Sequence, residues 1–219
     1  MNTLLTFWRS TIGKKVVMGV TGLIGLGFVI GHMAGNLQAF SGAEKLDAYG
    51  ALLQGPLHEL VLLARVVLIA SVLLHVTAAY QLTMLSRAAR PVGYTGRKPQ
   101  VSTLASKTLR WGGVLLLVFI VFHILHFTIG TVHPDFAQGK IYRNLATGFA
   151  VKWVAAFYLV AMVALGMHLF HGAWSSMRTL GLAQPSAQPL KRYLPVVLAI
   201  VISSGFAVIP LAFLLGVLK

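Results

Sequence analysis

Cysteine is absent from the 219 residues. That removes disulfides, thiolate-bound zinc, iron–sulfur clusters and the C-x-x-C-H attachment of c-type haem from consideration. Any metal must be held by histidine, methionine or oxygen. Acid is nearly absent too: Glu44, Asp47, Glu59 and Asp135 are the four carboxylates, and none falls within a long apolar run. Carboxylate-pair chemistry inside those runs is thereby excluded, and no nucleophile triad or phosphate loop appears. Charged residues make up 10% of the chain while 57% is hydrophobic, with a mean hydropathy of +0.81. A soluble domain carries about a quarter charged residues, so a water-soluble fold is excluded. The net charge of +14 does not indicate a nucleic-acid partner. Its lysines and arginines sit in short clusters between apolar runs, where they set membrane topology.

Apolar segments long enough to cross a hydrocarbon core of about 30 Å run near 16–40, 60–86, 111–132, 149–177 and 194–218. The expected fold is all-α, one domain over 1–219, a bundle of five transmembrane helices. Arg9, Lys14 and Lys15 precede the first span; Arg87, Arg90, Arg97, Lys98, Lys107 and Arg110 lie between the second and third; Arg178, Lys191 and Arg192 follow the fourth. The loop after the first span holds Glu44, Asp47 and Glu59 against Lys45 alone. This alternation predicts a cytoplasmic N-terminus and an outer C-terminus. The first run exceeds a signal-peptide core and no A-x-A site closes it, so it reads as an uncleaved span. Ser41 and Glu44 have capping-box spacing, and Leu46, Tyr49, Leu52 and Leu53 form a stripe ended by Gly55-Pro56, predicting a short interfacial helix. The stretches 91–100, 133–148 and 182–189 read as loops. Trp8, Trp111, Trp153 and Tyr158 are placed as interface anchors, and Pro210 is expected to kink a last span that faces lipid.

Six of the eight histidines, His32, His75, His123, His126, His168 and His171, lie inside these spans, at least one in each of the first four. Ionisable groups are costly in hydrocarbon and normally face a bundle interior with a partner. One such residue alone is more often a satisfied packing group. Four helices bearing them suit b-type haem, which takes two axial imidazoles from opposite sides and needs no covalent attachment. At about 1.5 Å per residue, His32 lies about 24 Å and His123 about 18 Å from the inner edges of their spans, His75 about 18 Å and His168 about 15 Å. Depth therefore groups His32 with His123 towards the outside and His75 with His168 towards the cytoplasm, giving two haems. Within His123/His126 and His168/His171 the spacing is i, i+3, so each pair shares a face and spacing does not choose the ligand. The spare histidines, His126 and His171, are expected around the haem rather than on its iron.

Gly27, Gly31 and Gly35 recur every fourth residue around His32, a stripe that admits a neighbouring helix or a flat macrocycle. Arg65, near the start of the second span, is placed to pair with a haem propionate or to snorkel outward. Gln54, His58 and Glu59, at the mouth of that span, have the chemistry to hold a quinone's oxygens and accept its protons, and equally that of interfacial charge and capping.

Taken in order, His32-Met33-Ala34-Gly35-Asn36, Leu74-His75 with Tyr80, Phe122-His123, and His168-Leu169-Phe170-His171-Gly172-Ala173-Trp174 resemble the single-chain, five-helix, two-haem cytochrome b subunit of succinate:menaquinone oxidoreductase and its relative, quinol:fumarate reductase. The resemblance covers essentially the whole chain. It implies His32 and His123 as ligands of a distal haem b and His75 and His168 as ligands of a proximal one, favouring His123 over His126 and His168 over His171. It further implies a flavoprotein partner with covalent FAD, an iron–sulfur partner, menaquinone as electron partner, and a place in the bacterial cytoplasmic membrane as part of respiratory complex II. The extra His126 and His171 depart from the family pattern, and no acidic quinone-site residue aligns. Two rival readings are a cytochrome b of another quinone-linked oxidoreductase, such as a hydrogenase or formate dehydrogenase, and a haem-free transporter with a histidine proton relay.

Overall fold

The structure, a computed structural model, describes residues 3–89, 104–182 and 189–219. The 91–100 loop and most of the 182–189 loop lie outside these. All described regular structure is helical: α1 (Thr3–Arg9), α2 (Thr11–Asn36), a 3₁₀ turn (Leu37–Ser41), α3 (Ala43–Gln54), α4 (His58–Ala88), α5 (Leu104–His123), a π turn (Ile124–Ile129), α6 (Ile141–Ala150), α7 (Lys152–Thr179) and α8 (Pro189–Leu214). Five of these helices are long and apolar enough to cross a membrane: Thr11–Ser41, His58–Ala88, Lys107–Ile129, Lys152–Thr179 and Tyr193–Leu214. The third span is shorter at its C-terminal end than its hydropathy suggests, because Gly130 adopts φ +85° and stops the helix.

The N-terminal corner shows how a few polar atoms fix a helix junction. Ser10 caps α2, its Oγ accepting the Gly13 amide at 2.8 Å and donating to the Phe7 carbonyl at 2.8 Å. A Cβ on Gly13 would run into that carbonyl, so glycine is required there. Lys14 is buried, its Nζ donating to the carbonyls of Trp8 at 2.8 Å and Arg9 at 2.9 Å while lying 5.7 Å from the Trp8 ring centre. It thereby satisfies the last carbonyls of α1. Part of the basic cluster before the first span therefore ties two helices together.

At the opposite end, α3 and α6 form a lid over the bundle. The expected capping box does not form. Ser41 belongs to the 3₁₀ turn, and Gly42 at φ +99° begins α3 without a side-chain cap. Helix α6 corrects the reading of 133–148 as loop. It buries Asn144, Leu145, Gly148 and Phe149, a stripe one helix face wide. Asp47 of α3 accepts the Tyr142 amide at 3.0 Å, capping α6 from across the lid. The main core sits beneath, built from Ala39, Leu46, Leu145, Phe149, Val154, Ala155, Tyr158 and Ile209.

Helix α7 is the spine, packing along α8, α5 and α2, while α4 lies along α2. Gly166 meets the Ser203 side chain, where a Cβ would stand 3.1 Å from Oγ, and Gly205 meets the Met33 sulfur. These small residues let helices approach where lipid offers no hydrophobic drive to pack. The expectation of a lipid-facing last span is thus corrected: α8 runs through Pro195 and Pro210, buries Ile202 and Ile209, and brings Phe206 to within 5.8 Å of the His32 ring centre. Outward faces are apolar, as with exposed Leu63, Ile69 and Leu73 on α4, the surface a lipid environment demands.

Candidate functional site

Four helices present histidines to a shared interior. Helices α2 and α7 pack together, but among the described residues α4 does not pack closely on α5 or α7, nor α5 on α2. Across this loosely filled interior the rings meet in two places. His32 on α2 lies 5.8 Å, centre to centre, from His123 on α5, and His75 on α4 lies 6.1 Å from His168 on α7. Each pair thus joins helices whose backbones are held apart. The two meetings fall at different levels along α2: Thr21 touches His75 while His32 itself touches His123, and eleven residues of helix correspond to about 16 Å.

Hydrogen bonds define which nitrogens are available. The Thr21 hydroxyl donates to its own helix at the Val17 carbonyl, 2.7 Å away, so at 3.2 Å it accepts the His75 Nδ1–H. That leaves the lone pair of His75 on Nε2, the tautomer of a metal-ligating histidine with an oriented outer nitrogen. The Nδ1 of His168 is buried without a hydrogen-bond partner. His32 stacks on Phe28, and its Nε2 accepts the Asn36 amide at 3.3 Å, so a metal at that nitrogen would displace Asn36. His123 directs Nδ1 to the Tyr158 hydroxyl at 3.2 Å, and His126 directs its own Nδ1 to the same hydroxyl at 3.2 Å.

The donor set discriminates among metal centres. Among the described residues no three histidines or carboxylates cluster to hold a bare ion, which a protein-only zinc site requires. Two opposed imidazoles per site suit iron that brings its other four ligands in a macrocycle. A metal bound at about 2 Å on each side holds two imidazole centres about 6 Å apart, matching the 5.8 and 6.1 Å found. Gly25, Gly112 and Gly172 are half-buried, and a Cβ on any of them would have no neighbour within 4 Å. Gly22 and Gly113 stand against His75 and His168 respectively. An open groove of about 410 Å³ between α2 and α4, lined by Thr21, Ile24, Ser71 and Leu74 among others, lies beside Thr21, and no histidine lines it. The residues fit haem.

The other expected site residues are distributed differently. His126 is fully buried above His123, stacked obliquely on His133 with ring centres 4.8 Å apart, and its Nε2 has no partner. His171 is half-buried one turn beyond His168. Arg65 lies exposed on α4. Gln54, His58 and Glu59 are exposed at the α3–α4 junction. Tyr158 corrects the reading of an interface anchor: it is 6% exposed, in the core between α5 and the lid. His133, Thr21 and Asn36 also join the site. Only a spatial neighbour could have marked Tyr158, since by sequence it is one more aromatic near a span end. No known protein family, curated protein or solved structure matches this chain.

Proposed function

We propose that this chain is a membrane-anchor cytochrome b subunit that moves electrons across a membrane through two bis-histidine haems b, serving succinate:menaquinone oxidoreductase. The observation that carries the reading is the pair of opposed imidazole couples, 5.8 and 6.1 Å between ring centres, at two levels of one helix bundle. Bound at each level, haem supplies one-electron oxidation and reduction without protons or substrate. The chain's own work would be ligation by His32 and His123 at one level and His75 and His168 at the other, orientation of His75 by Thr21 and of His123 by Tyr158, and exclusion of water by the Phe119 and Phe206 rings.

The ordered motifs from His32 to Trp174 support the assignment to succinate:menaquinone oxidoreductase. On that reading the basic inner segments dock an iron–sulfur protein that receives electrons from a flavoprotein with covalent FAD, and the N-terminus faces the cytoplasm of a bacterium. Menaquinone exchanges electrons near the lid formed by α3 and α6, where Gln54, His58 and Glu59 are the groups able to handle its protons. The test is purification from native membranes followed by addition of succinate. The expected result is copurification of the two partners and reduction of the haem bands by succinate. Copurification of a hydrogenase or formate dehydrogenase subunit, with haem unresponsive to succinate, would move the chain to that class. A colourless chain would leave the histidine-relay transporter.

A further inference from the structure

We infer that Tyr158 is a positioning residue that sets the electron-donating strength of one haem ligand, and that Thr21 does the same, independently, for the other level; this rests on the haem reading above. Tyr158 has one hydroxyl proton and two imidazole neighbours, His123 Nδ1 and His126 Nδ1, each at 3.2 Å. The hydroxyl has one proton to give and an oxygen that accepts, so the arrangement in which the Tyr158 proton is also paired has one nitrogen donating to the oxygen and the other accepting its proton. Ligation at His123 Nε2 places the His123 proton on Nδ1, so His123 donates to the Tyr158 oxygen. The Tyr158 proton then goes to His126 Nδ1, and the proton of His126 sits on Nε2, the buried atom that lacks a partner. With His123 as ligand, that arrangement runs His123 to Tyr158 to His126.

A hydroxyl that donates onward is a better acceptor than one that does not, because hydrogen bonds in series polarise one another. His126 therefore strengthens the grip of Tyr158 on the His123 N–H, which is why a fully buried histidine with one free nitrogen can be kept there. At the other level, Thr21 gives its proton to the Val17 carbonyl at 2.7 Å and accepts from His75, beside the Met18 carbonyl that also bonds that ring, a bond of the same sense. An acceptor at Nδ1 makes the imidazole more basic and favours ferric iron, lowering the reduction potential. The two levels are thus set by two separate hydroxyls on two helices, α7 and α2.

The experiment is redox titration and low-temperature EPR of the haem-loaded chain in the complex, for wild type, Tyr158→Phe, His126→Phe and Thr21→Val. Tyr158→Phe keeps the ring contacts to Phe119, Phe127 and Phe149 and removes the hydroxyl alone. The expected result is an upward shift of one potential, with a changed low-spin signal from that haem only. His126→Phe should shift the same haem the same way by less, and Thr21→Val should raise the other haem alone. Unchanged potentials in Tyr158→Phe and Thr21→Val, or both variants moving the same haem, would overturn the inference while two haems in wild type leave the haem reading intact. Should Tyr158→Phe lose a haem, the His126→Phe and Thr21→Val shifts decide the matter by the same criterion. Absence of haem from wild type would instead remove the reading beneath it.

Discussion

Gly148 sits where the lid helix α6 presses on the histidine cluster, and replacing it by alanine isolates the tightness of that contact. A Cβ there would stand 2.9 Å from His126 Cε1, 3.0 Å from Phe127 Cε1 and 3.1 Å from His133 Nε2. These are rigid ring atoms: His126 is hydrogen-bonded to Tyr158, and His133 is held by the Asp135 amide at Nδ1 and by its own donation to the Asn144 carbonyl. None of them can swing away as a flexible side-chain end would, so overpacking costs about 2–3 kcal/mol. Alanine in a helix regains about 1 kcal/mol relative to glycine. The net loss is about 1–2 kcal/mol, or about 2–8 °C in Tm for a chain of this size. Gly27→Ala is the control, because a Cβ at Gly27 meets nothing within 4 Å and only the helix gain remains. The assay is thermal unfolding of both variants in the same detergent. Gly148→Ala should melt below wild type and Gly27→Ala at or above it. Equal melting of the two would refute the claim that lid and histidine cluster are in rigid contact.

Other consequences follow from the same geometry. Asn144 accepts the Ala137 amide and donates to the Ala137 carbonyl, each at 2.9 Å. Asn144→Ala should lower stability by about 1–3 kcal/mol and speed proteolysis near Ala137; Asn144→Asp, which keeps the acceptor, should lose less. Gly25→Phe should fill half-buried space that holds no protein atom and reduce the haem content measured by pyridine haemochrome while leaving the chain folded by size exclusion. His168→Ala should remove one haem and His171→Ala none, read from the same assay, because His168 alone of the two faces His75.

Hydropathy was sufficient for the five spans because a helix in lipid must be apolar around most of its circumference over a fixed length. Histidine depth groups His32 with His123 and His75 with His168, the same rings that meet in space, since a straight helix converts residue number into height. The lid was less legible. Lys140 and Arg143 disguise α6 as loop, although Ile141, Leu145 and Phe149 at i, i+4 and i+8 carried its apolar stripe. The π turn at Ile124–Ile129 leaves no mark in composition. Ser41 and Glu44 had the right spacing for a cap, but the 3₁₀ turn consumes Ser41 before α3 begins. Tyr158 was hidden for a different reason. Its role comes from two histidines 35 and 32 residues away, and no periodicity spans that distance.

The most direct measurement for the central claim is the ratio of haem b to polypeptide in the purified chain, by pyridine haemochrome against quantitative amino-acid analysis. The expected value is two haems b per chain, with single replacement of His32, His75, His123 or His168 leaving one. A chain that is folded and colourless would contradict it.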